Sequence, residues 1–197
     1  MGHGINVNYG DHMKYHYGRR IQYFRGKCEA SVAIAMTDKT TSNSKEAFET
    51  LRKVLTQIEW ASDPDEENAS FYIDFSPPHT PVSDAVAAIA SEAELFLFYV
   101  NIGPMAPEER RDEVARFISR VNWGLSIGNF EMDHEDGFVR FRSSIAFSNT
   151  VLTEALIRNA ILAAMEIVEI YADPVVDVLG RGKSAQEAWL GVKAKHN

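Results

Sequence analysis

Residues 122–145 read NWGLSIGNFEMDHEDGFVRFRSSI, and this stretch indicates the fold class more clearly than any other part of the chain. Its first residues are typical of the end of a helix, and two segments with alternating apolar and polar side chains follow them. Asp136 and Gly137 separate the two segments, and this dipeptide is typical of a two-residue β-hairpin turn. The stretch therefore predicts a helix end and a β-hairpin in one continuous piece.

The register of the predicted hairpin follows from counting outward from the Asp-Gly turn. Asp133 then lies opposite Arg140, and Glu131 lies opposite Arg142. One face of the hairpin carries these opposite-charge pairs, each worth about 0.2–1 kcal/mol, while the apolar residues fall on the other face. Because a shift of one residue would turn the charges into the core, we expect this register to be well specified.

The hairpin also contains an acidic cluster, Asp133, His134, Glu135 and Asp136, that could bind a metal ion or act in acid–base chemistry. Metal ligands must converge on one point, whereas neighbouring side chains of a strand point to opposite faces. The acids also have arginine partners and a turn to form in the predicted hairpin. We therefore interpret the cluster as structural and expect neither a metal site nor a cofactor.

Apolar spacing outside the hairpin predicts the remaining elements. The acidic segment 63–68 lacks the glycine and the final glutamate of a calcium loop, and we interpret it as a solvated loop. The order helix, three strands, helix, two strands and long helix is typical of a two-layer α+β protein. The expected helices are 44–60 with Ser44 as N-cap, one opened by Pro107, a long one at 150–171 interrupted at Pro174, and a tail helix opened by Ser184; the expected strands before the hairpin lie near 71–75, 82–90 and 95–102.

Composition limits the classes of partner. The chain has 197 residues with 28 acidic and 20 basic side chains, and its net charge of −8 disfavours binding to nucleic-acid phosphates. No apolar run reaches the roughly 18–20 residues needed to span a bilayer. Cys28 is the single cysteine, which excludes an intrachain disulfide and favours the cytosol. We therefore expect a cytoplasmic protein without nucleic-acid or membrane partners.

The chain divides into three predicted parts. Residues 1–43 show neither helical nor strand periodicity and are expected to form a poorly ordered N-terminal extension. Residues 44–181 form the predicted α+β domain, and residues 182–197 form the tail helix. Because the sequence from Met36 onward resembles an ordinary protein start, we hypothesise that residues 1–35 are an upstream extension from a misassigned start and are not part of the natural protein.

The long helix predicts an interface because it is apolar around most of its circumference. In a two-layer domain one side of such a helix meets the sheet, and the other side needs a second cover. A second copy of the protein is the simplest cover, although the N-terminal extension or the C-terminal tail could also supply it. The expected interface residues of this homodimer are Leu156, Ala160, Ile161, Met165, Val168 and Tyr171.

The pattern NxGLxIGNFEMDxxDGxxRFxSSI at 122–145 resembles the central signature of the YbjN domain family. The segment PEERR at 107–111 and the long apolar helix also fit, so the resemblance covers about residues 44–181. It implies a bacterial protein whose fold is similar to that of type III secretion chaperones, which are small α/β dimers. The resemblance implies no reaction, and the family's usual label, sensory transduction regulator, concerns only its role.

Two motifs of known catalytic sites, a P-loop and H-E-x-x-H, do not occur in the sequence, and GRGKS at 180–184 follows a helix, so we interpret it as a helix cap. The pattern G-x-S-x-G occurs as GLSIG at 124–128, but it lies between a helix end and a strand, whereas a catalytic serine of this motif lies between a strand and a helix. His79 lies between prolines and is interpreted as a loop residue, and His3, His12, His16 and Cys28 match no zinc spacing. We therefore predict a non-enzymatic, dimeric interaction module of chaperone or adaptor type that binds an unidentified protein partner and acts in regulation. The alternatives are a small-ligand sensor or an enzyme with an unrecognised site.

Overall fold

The computed structural model describes residues 42–60, 63–75 and 81–196. Residues 1–41, which hold most of the predicted extension, lie outside these ranges. None of the helices in the described ranges is long and apolar enough to cross a bilayer. The elements are α1 Ser42–Gln57, β1 Pro64–Asp65, β2 Ser70–Asp74, β3 Val82–Ala90, β4 Leu95–Ile102, α2 Arg111–Gly124, β5 Asn129–Met132, β6 Val139–Ala146, α3 Glu154–Leu179 and α4 Ala185–His196, with a 3-10 turn at Glu108–Arg110 before α2.

The six strands form one antiparallel sheet in the order β1-β2-β3-β4-β6-β5, which confirms the predicted α+β class. β4 is central, as its apolar sequence indicates, and pairs with β3 on one side and β6 on the other. The loop expected at 63–68 instead contains the short strand β1, in which Pro64 pairs with Phe71. Proline fits there because β1 is an edge strand and needs no N–H on its outer side.

The helices lie on one face of the sheet and form the second layer. α1 lies over β3, α3 over β4 and β6, and α2 over β5. Alternate residues of each strand point to these helices, which places Phe96, Phe98, Phe130 and Phe141 in the shared core. The two-layer arrangement therefore follows from period-two strands packed under period-3.6 helices.

α1 and α3 both differ from the sequence prediction, α1 in where it begins and α3 in where it begins and in its continuity at Pro174. α1 begins at Ser42, so Ser44 lies inside the first turn and is not the N-cap. The buried hydroxyl of Ser44 donates to the carbonyl of Ser91 at 2.9 Å. α3 begins after Thr153, whose hydroxyl accepts a hydrogen bond from the N–H of Leu156. The predicted interruption at Pro174 is wrong, since α3 continues through it. Proline removes one backbone donor there, and the surrounding buried residues of α3 hold the helix together.

The hairpin register differs by two residues from the prediction. Glu131 lies opposite Arg140, and Asn129 lies opposite Arg142. The N–H of Asp133 donates to the carbonyl of Phe138 at 2.9 Å, so the loop contains residues 134–137 instead of two residues. Because side chains alternate with a period of two, this shift leaves every residue on its expected face.

Local hydrogen bonds explain the wider loop. The carboxylate of Asp133 accepts the N–H of Glu135 at 2.9 Å, and that of Asp136 accepts the N–H of Phe138 at 2.8 Å. Gly137 has a φ of +79°, and its carbonyl accepts the N–H of Ala106 at 2.7 Å. The tip of the hairpin is therefore fixed partly by its own aspartates and partly by the segment before α2.

Candidate functional site

The candidate site is an open edge of the sheet at residues 143–146, the last half of β6. Pairing between β5 and β6 ends at Asn129 and Arg142. Beyond this point β6 still pairs with β4, from Ser143 opposite Phe98 to Ala146 opposite Leu95. In the described part of the chain, no strand pairs with the other side of residues 143–146. We call these four residues the open edge.

The direction of the backbone groups follows from two hydrogen bonds at the ends of β6. The N–H of Asp133 bonds the carbonyl of Phe138, so even-numbered residues of β6 direct their backbone groups toward β5. The N–H of Phe147 bonds the carbonyl of Glu94, so odd-numbered residues direct theirs toward β4. At the open edge, the alternation therefore directs the N–H and carbonyl groups of Ser144 and Ala146 outward, and both residues are exposed.

Gly128 creates the open edge by turning the chain away from β6. Its φ is +68°, and a Cβ at this position would lie 2.4 Å from the ring of Phe141 and 2.6 Å from the carbonyl oxygen of Arg142. A backbone this close to Phe141 and Arg142 leaves no room for a Cβ, so only glycine permits this turn of the chain at the end of β5. The preceding residue, Ile127, is 51% exposed and lies outside the sheet.

The face of the hairpin opposite the helices carries a compact ionic cluster. The Glu131 carboxylate accepts Arg140 at 2.8 Å and Arg142 at 2.9 Å, so the expected charge-paired face is present despite the different register. The guanidinium of Arg140 also lies 4.1 Å from the ring centroid of Tyr99. The side chain of Arg142 remains 40% exposed and shares its face with Ser144, so a cation borders the open edge.

The other face beside the open edge is apolar. Ile145 points to the helix layer and is half-buried against the core. α3 lies over β6, and Leu156 in its first turn is 42% exposed. An extended segment added at the open edge would therefore find apolar groups on one face and Arg142 on the other.

The structure divides the six residues expected at the α3 interface. Ala160, Ile161 and Val168 are buried within the single chain, because this face of α3 covers the sheet. Met165 and Tyr171 are half-buried, and the ring of Tyr171 meets that of Phe130 edge-on. Leu156 alone among the six is exposed.

Sequence reasoning missed several exposed apolar residues. Leu162 lies opposite the buried stripe of α3 and is 55% exposed, a position that the helical angle from the stripe would have indicated. Trp123, at the end of α2, is 94% exposed, and its place beside the glycine that ends the helix was the available signal. The remaining exposed large apolar residues of the described ranges are Ile127, Val151 and Leu190.

The other candidate sites have structural explanations or lie outside the described ranges. His134 is in the exposed hairpin loop, and its carbonyl accepts Arg111 at 2.9 Å. Gly180 ends α3, with its N–H on the carbonyl of Val176 at 3.0 Å. Among described residues, no group of three or more acids, histidines or cysteines is placed to hold a metal ion. His3, His12, His16, Cys28 and His79 are not in the described ranges.

Comparison with solved structures identifies proteins of similar fold. The crystal structure of the ExsC–ExsE complex matches with a TM-score of 0.52 and 15% identity, covering 68% of this chain and 96% of that chain. The crystal structure of YbjN, "a putative transcription regulator from E. coli", matches with a TM-score of 0.49 and 12% identity, covering 70% and 94%. The HopA1–SchA chaperone–effector complex matches with a TM-score of 0.46 and 11% identity, covering 68% and 99%.

Comparison of sequences gives the family. No curated protein matches the chain. A family model described as "Putative bacterial sensory transduction regulator" matches residues 47–176, which is well over half of the chain. This range includes the whole sheet and the open edge, and it agrees with the resemblance found at residues 122–145. The chain belongs to the YbjN family and has the expected α+β fold of type III secretion chaperone-like architecture.

Proposed function

We propose that the protein is a non-enzymatic interaction module of chaperone or adaptor type, which binds an extended segment of a partner protein. The observation that carries this proposal is the open edge, where Ser144 and Ala146 direct backbone donors and acceptors outward. An unpaired strand edge is a template for another strand, and natural proteins usually cover or blunt it. Addition of a strand is an established mode of peptide recognition, in which main-chain hydrogen bonds give affinity.

The surroundings of the open edge specify the chemistry of the segment. Residues of an added strand would alternate between the side of Ile145 and Leu156 and the side of Arg142. We infer that the partner segment alternates apolar side chains with polar or acidic ones. ExsC, in the complex with ExsE, is a solved example of a protein pair that includes this fold, which supports protein binding as the role.

A proline substitution tests the open edge directly. In Ser144→Pro the outward N–H is lost, while the odd-numbered residues of β6 keep their bonds to β4. The matched control is Ser144→Ala, which keeps the N–H and removes only the exposed hydroxyl. Both variants and the wild type are used for affinity capture followed by mass spectrometry, after circular dichroism shows that they are folded.

The expected result is a partner that is captured by the wild type and by Ser144→Ala and lost with Ser144→Pro. The captured partner is then reduced to overlapping peptides, and the binding peptide is expected to alternate apolar and acidic residues. Equal capture by Ser144→Pro and the wild type would show that the open edge is not the binding site.

We also propose that two copies associate through the exposed surface of α3, which includes Leu156 of the six expected residues and Leu162 six residues further along the helix. Both are leucines with about half of their surface exposed, 42% and 55%. Sedimentation velocity at micromolar concentration is expected to give a dimer for the wild type and a monomer for Leu162→Glu. Leu190→Glu, at a similarly exposed leucine on α4 (54%), is the control that should remain dimeric. A wild-type monomer would contradict the dimer.

The family description supports a regulatory role for this binding. In such a role, occupancy of the open edge by one partner would prevent it from pairing with another. The prediction of a cytoplasmic location is part of the same proposal and can be checked by cell fractionation.

A further inference from the structure

α4 is an addition to the family domain that covers part of it. The family model ends at residue 176, and α4 begins at Ala185. α4 packs on both α2 and α3, with Ala185, Ala188 and Val192 buried and Leu190 exposed. Its fully buried side chains are small, so each contributes little apolar area to the contact, and the larger ring of Trp189 is only partly buried against the core.

The polar contacts that hold α4 to the domain are concentrated at its first turn. The carboxylate of Glu113 in α2 accepts the N–H of Ala185 at 2.8 Å, and this hydrogen bond lowers the pKa of Glu113 below its ordinary value. Arg120, about two turns further along α2, donates to the side chain of Gln186. Beyond Glu187 the described contacts of α4 with the domain are apolar.

The segment before α4 is suited to act as a hinge. Gly180 ends α3, and Gly182 has a φ of +80° with no atom near the place of a Cβ. Lys183 is held by Asp177 at 2.7 Å and by Arg110, which also binds the carbonyl of Val178 at 2.6 Å. Arg110 thus ties Lys183, the residue after Gly182, to the end of α3, and release of this contact would leave Gly182 to absorb a change in backbone direction.

The surface beneath α4 is apolar. Phe117 lies four residues after Glu113 and three before Arg120, so the three share one face of α2. Glu113 and Arg120 contact α4, and the Phe117 side chain between them is fully buried. Departure of α4 would therefore uncover an apolar surface between α2 and α3 with charged groups at its margin.

We propose that α4 is a releasable cover. It detaches from α2 and α3 as one unit while the rest of the domain stays folded, and its departure uncovers a groove that another helix can occupy. The occupant that fits this groove is an amphipathic helix with small apolar side chains four residues apart and an aromatic side chain beside them, since Ala188, Val192 and Trp189 of α4 pack there now. This groove is separate from the open edge, and its use does not depend on strand addition there.

The test uses the full chain carrying Ala188→Asp, which places a charge at a position that is 4% exposed and so opens α4 without altering the groove. Ala194→Asp, at an exposed position of the same helix, is the matched control. The probe is a fluorescent synthetic peptide of residues 183–196. It is expected to bind Ala188→Asp at least tenfold more tightly than Ala194→Asp or the wild type, because in these the tethered α4 occupies the groove.

Hydrogen exchange of the same proteins gives the second readout. In the wild type, amides of α4 are expected to exchange at least tenfold faster than those of the last turns of α3, and Ala188→Asp should accelerate only the amides of α4. Equal protection of α4 and α3 in the wild type would overturn the proposal, as would cooperative loss of the whole domain in Ala188→Asp. If the peptide bound Ala188→Asp and Ala194→Asp equally well, the proposed groove would be contradicted.

Discussion

Substitution of Gly137 by alanine tests the contact that sets the hairpin tip. Gly137 has a φ of +79°, and a Cβ there would lie 2.0 Å from the carbonyl oxygen of Ala106 and 2.9 Å from its carbonyl carbon. These are backbone atoms, so no side chain can rotate to relieve the overlap. The loop must move, and the hydrogen bond from the N–H of Ala106 to the carbonyl of Gly137 is lost.

The expected loss of folding free energy in Gly137→Ala is the sum of three separate costs. A left-handed backbone costs alanine about 1–2 kcal/mol relative to glycine, and a lost backbone hydrogen bond costs about 1 kcal/mol. Displacing the segment around Ala106, which is itself buried, adds a packing loss of about 1 kcal/mol. We expect Gly137→Ala to lower the free energy of unfolding by about 3–4 kcal/mol, measured by urea denaturation with the slope unchanged.

Gly182→Ala provides the matched control, because Gly182 has a φ of +80° and no atom within 4 Å of the place of its Cβ. This variant should show only the backbone cost of about 1–2 kcal/mol. The difference between the two variants therefore measures the contact between the loop and Ala106. If Gly137→Ala costs no more than Gly182→Ala, the hairpin tip does not lie against Ala106 in solution.

Three further predictions concern the core, the cap of α3 and the attachment of α4. Phe98→Ala, in the fully buried core of β4, should cost about 3–5 kcal/mol in chemical denaturation, whereas Trp123→Ala, at a 94% exposed site, should change the stability by less than about 0.5 kcal/mol. Thr153→Ala removes the N-cap bond of α3 and should cost about 1 kcal/mol, with Thr153→Ser restoring most of it. The hydrogen bond from the N–H of Ala185 lowers the pKa of folded Glu113 below the ordinary 4.5. The stabilisation of α4 by this hydrogen bond is therefore fully present above pH 4.5 and is lost as the pH falls through the lowered pKa. Hydrogen exchange of α4 amides, corrected for intrinsic rates, should therefore show easier opening below about pH 4.5, and a Glu113→Gln variant that keeps the same pH dependence would refute this assignment.

The hairpin shows what the sequence could and could not predict. The alternation of charged and apolar residues was sufficient to place Glu131 and Arg140 on one face, because that pattern is carried by each strand separately. The register depends on the loop, and there the aspartate side chains and the contact with Ala106 favour four residues over two. The contact with Ala106 is a tertiary interaction, so no local pattern around residues 136–137 could have indicated it.

The candidate site was harder to predict than the fold. Apolar residues at helical spacing correctly indicated that α3 is largely buried, but the sequence could not separate residues covered by the sheet from those left exposed. Ile161 and Leu162 are chemically alike, yet one is 2% exposed and the other 55%. The open edge depends on the unequal lengths of β5 and β6, which only the position of Gly128 in three dimensions determines.

If a partner segment adds to the open edge as proposed, Gly128 sets how many residues of that segment can pair with β6. Each pair of residues added to β5 before the chain departs would close one outward-facing position of β6, and each pair removed would open one. A shift of the glycine along the loop would lengthen or shorten the paired part of the partner segment without changing any side chain of β6. Proteins with this sheet would then differ in the length of the segment that they bind, while the side chains beside the open edge stay the same.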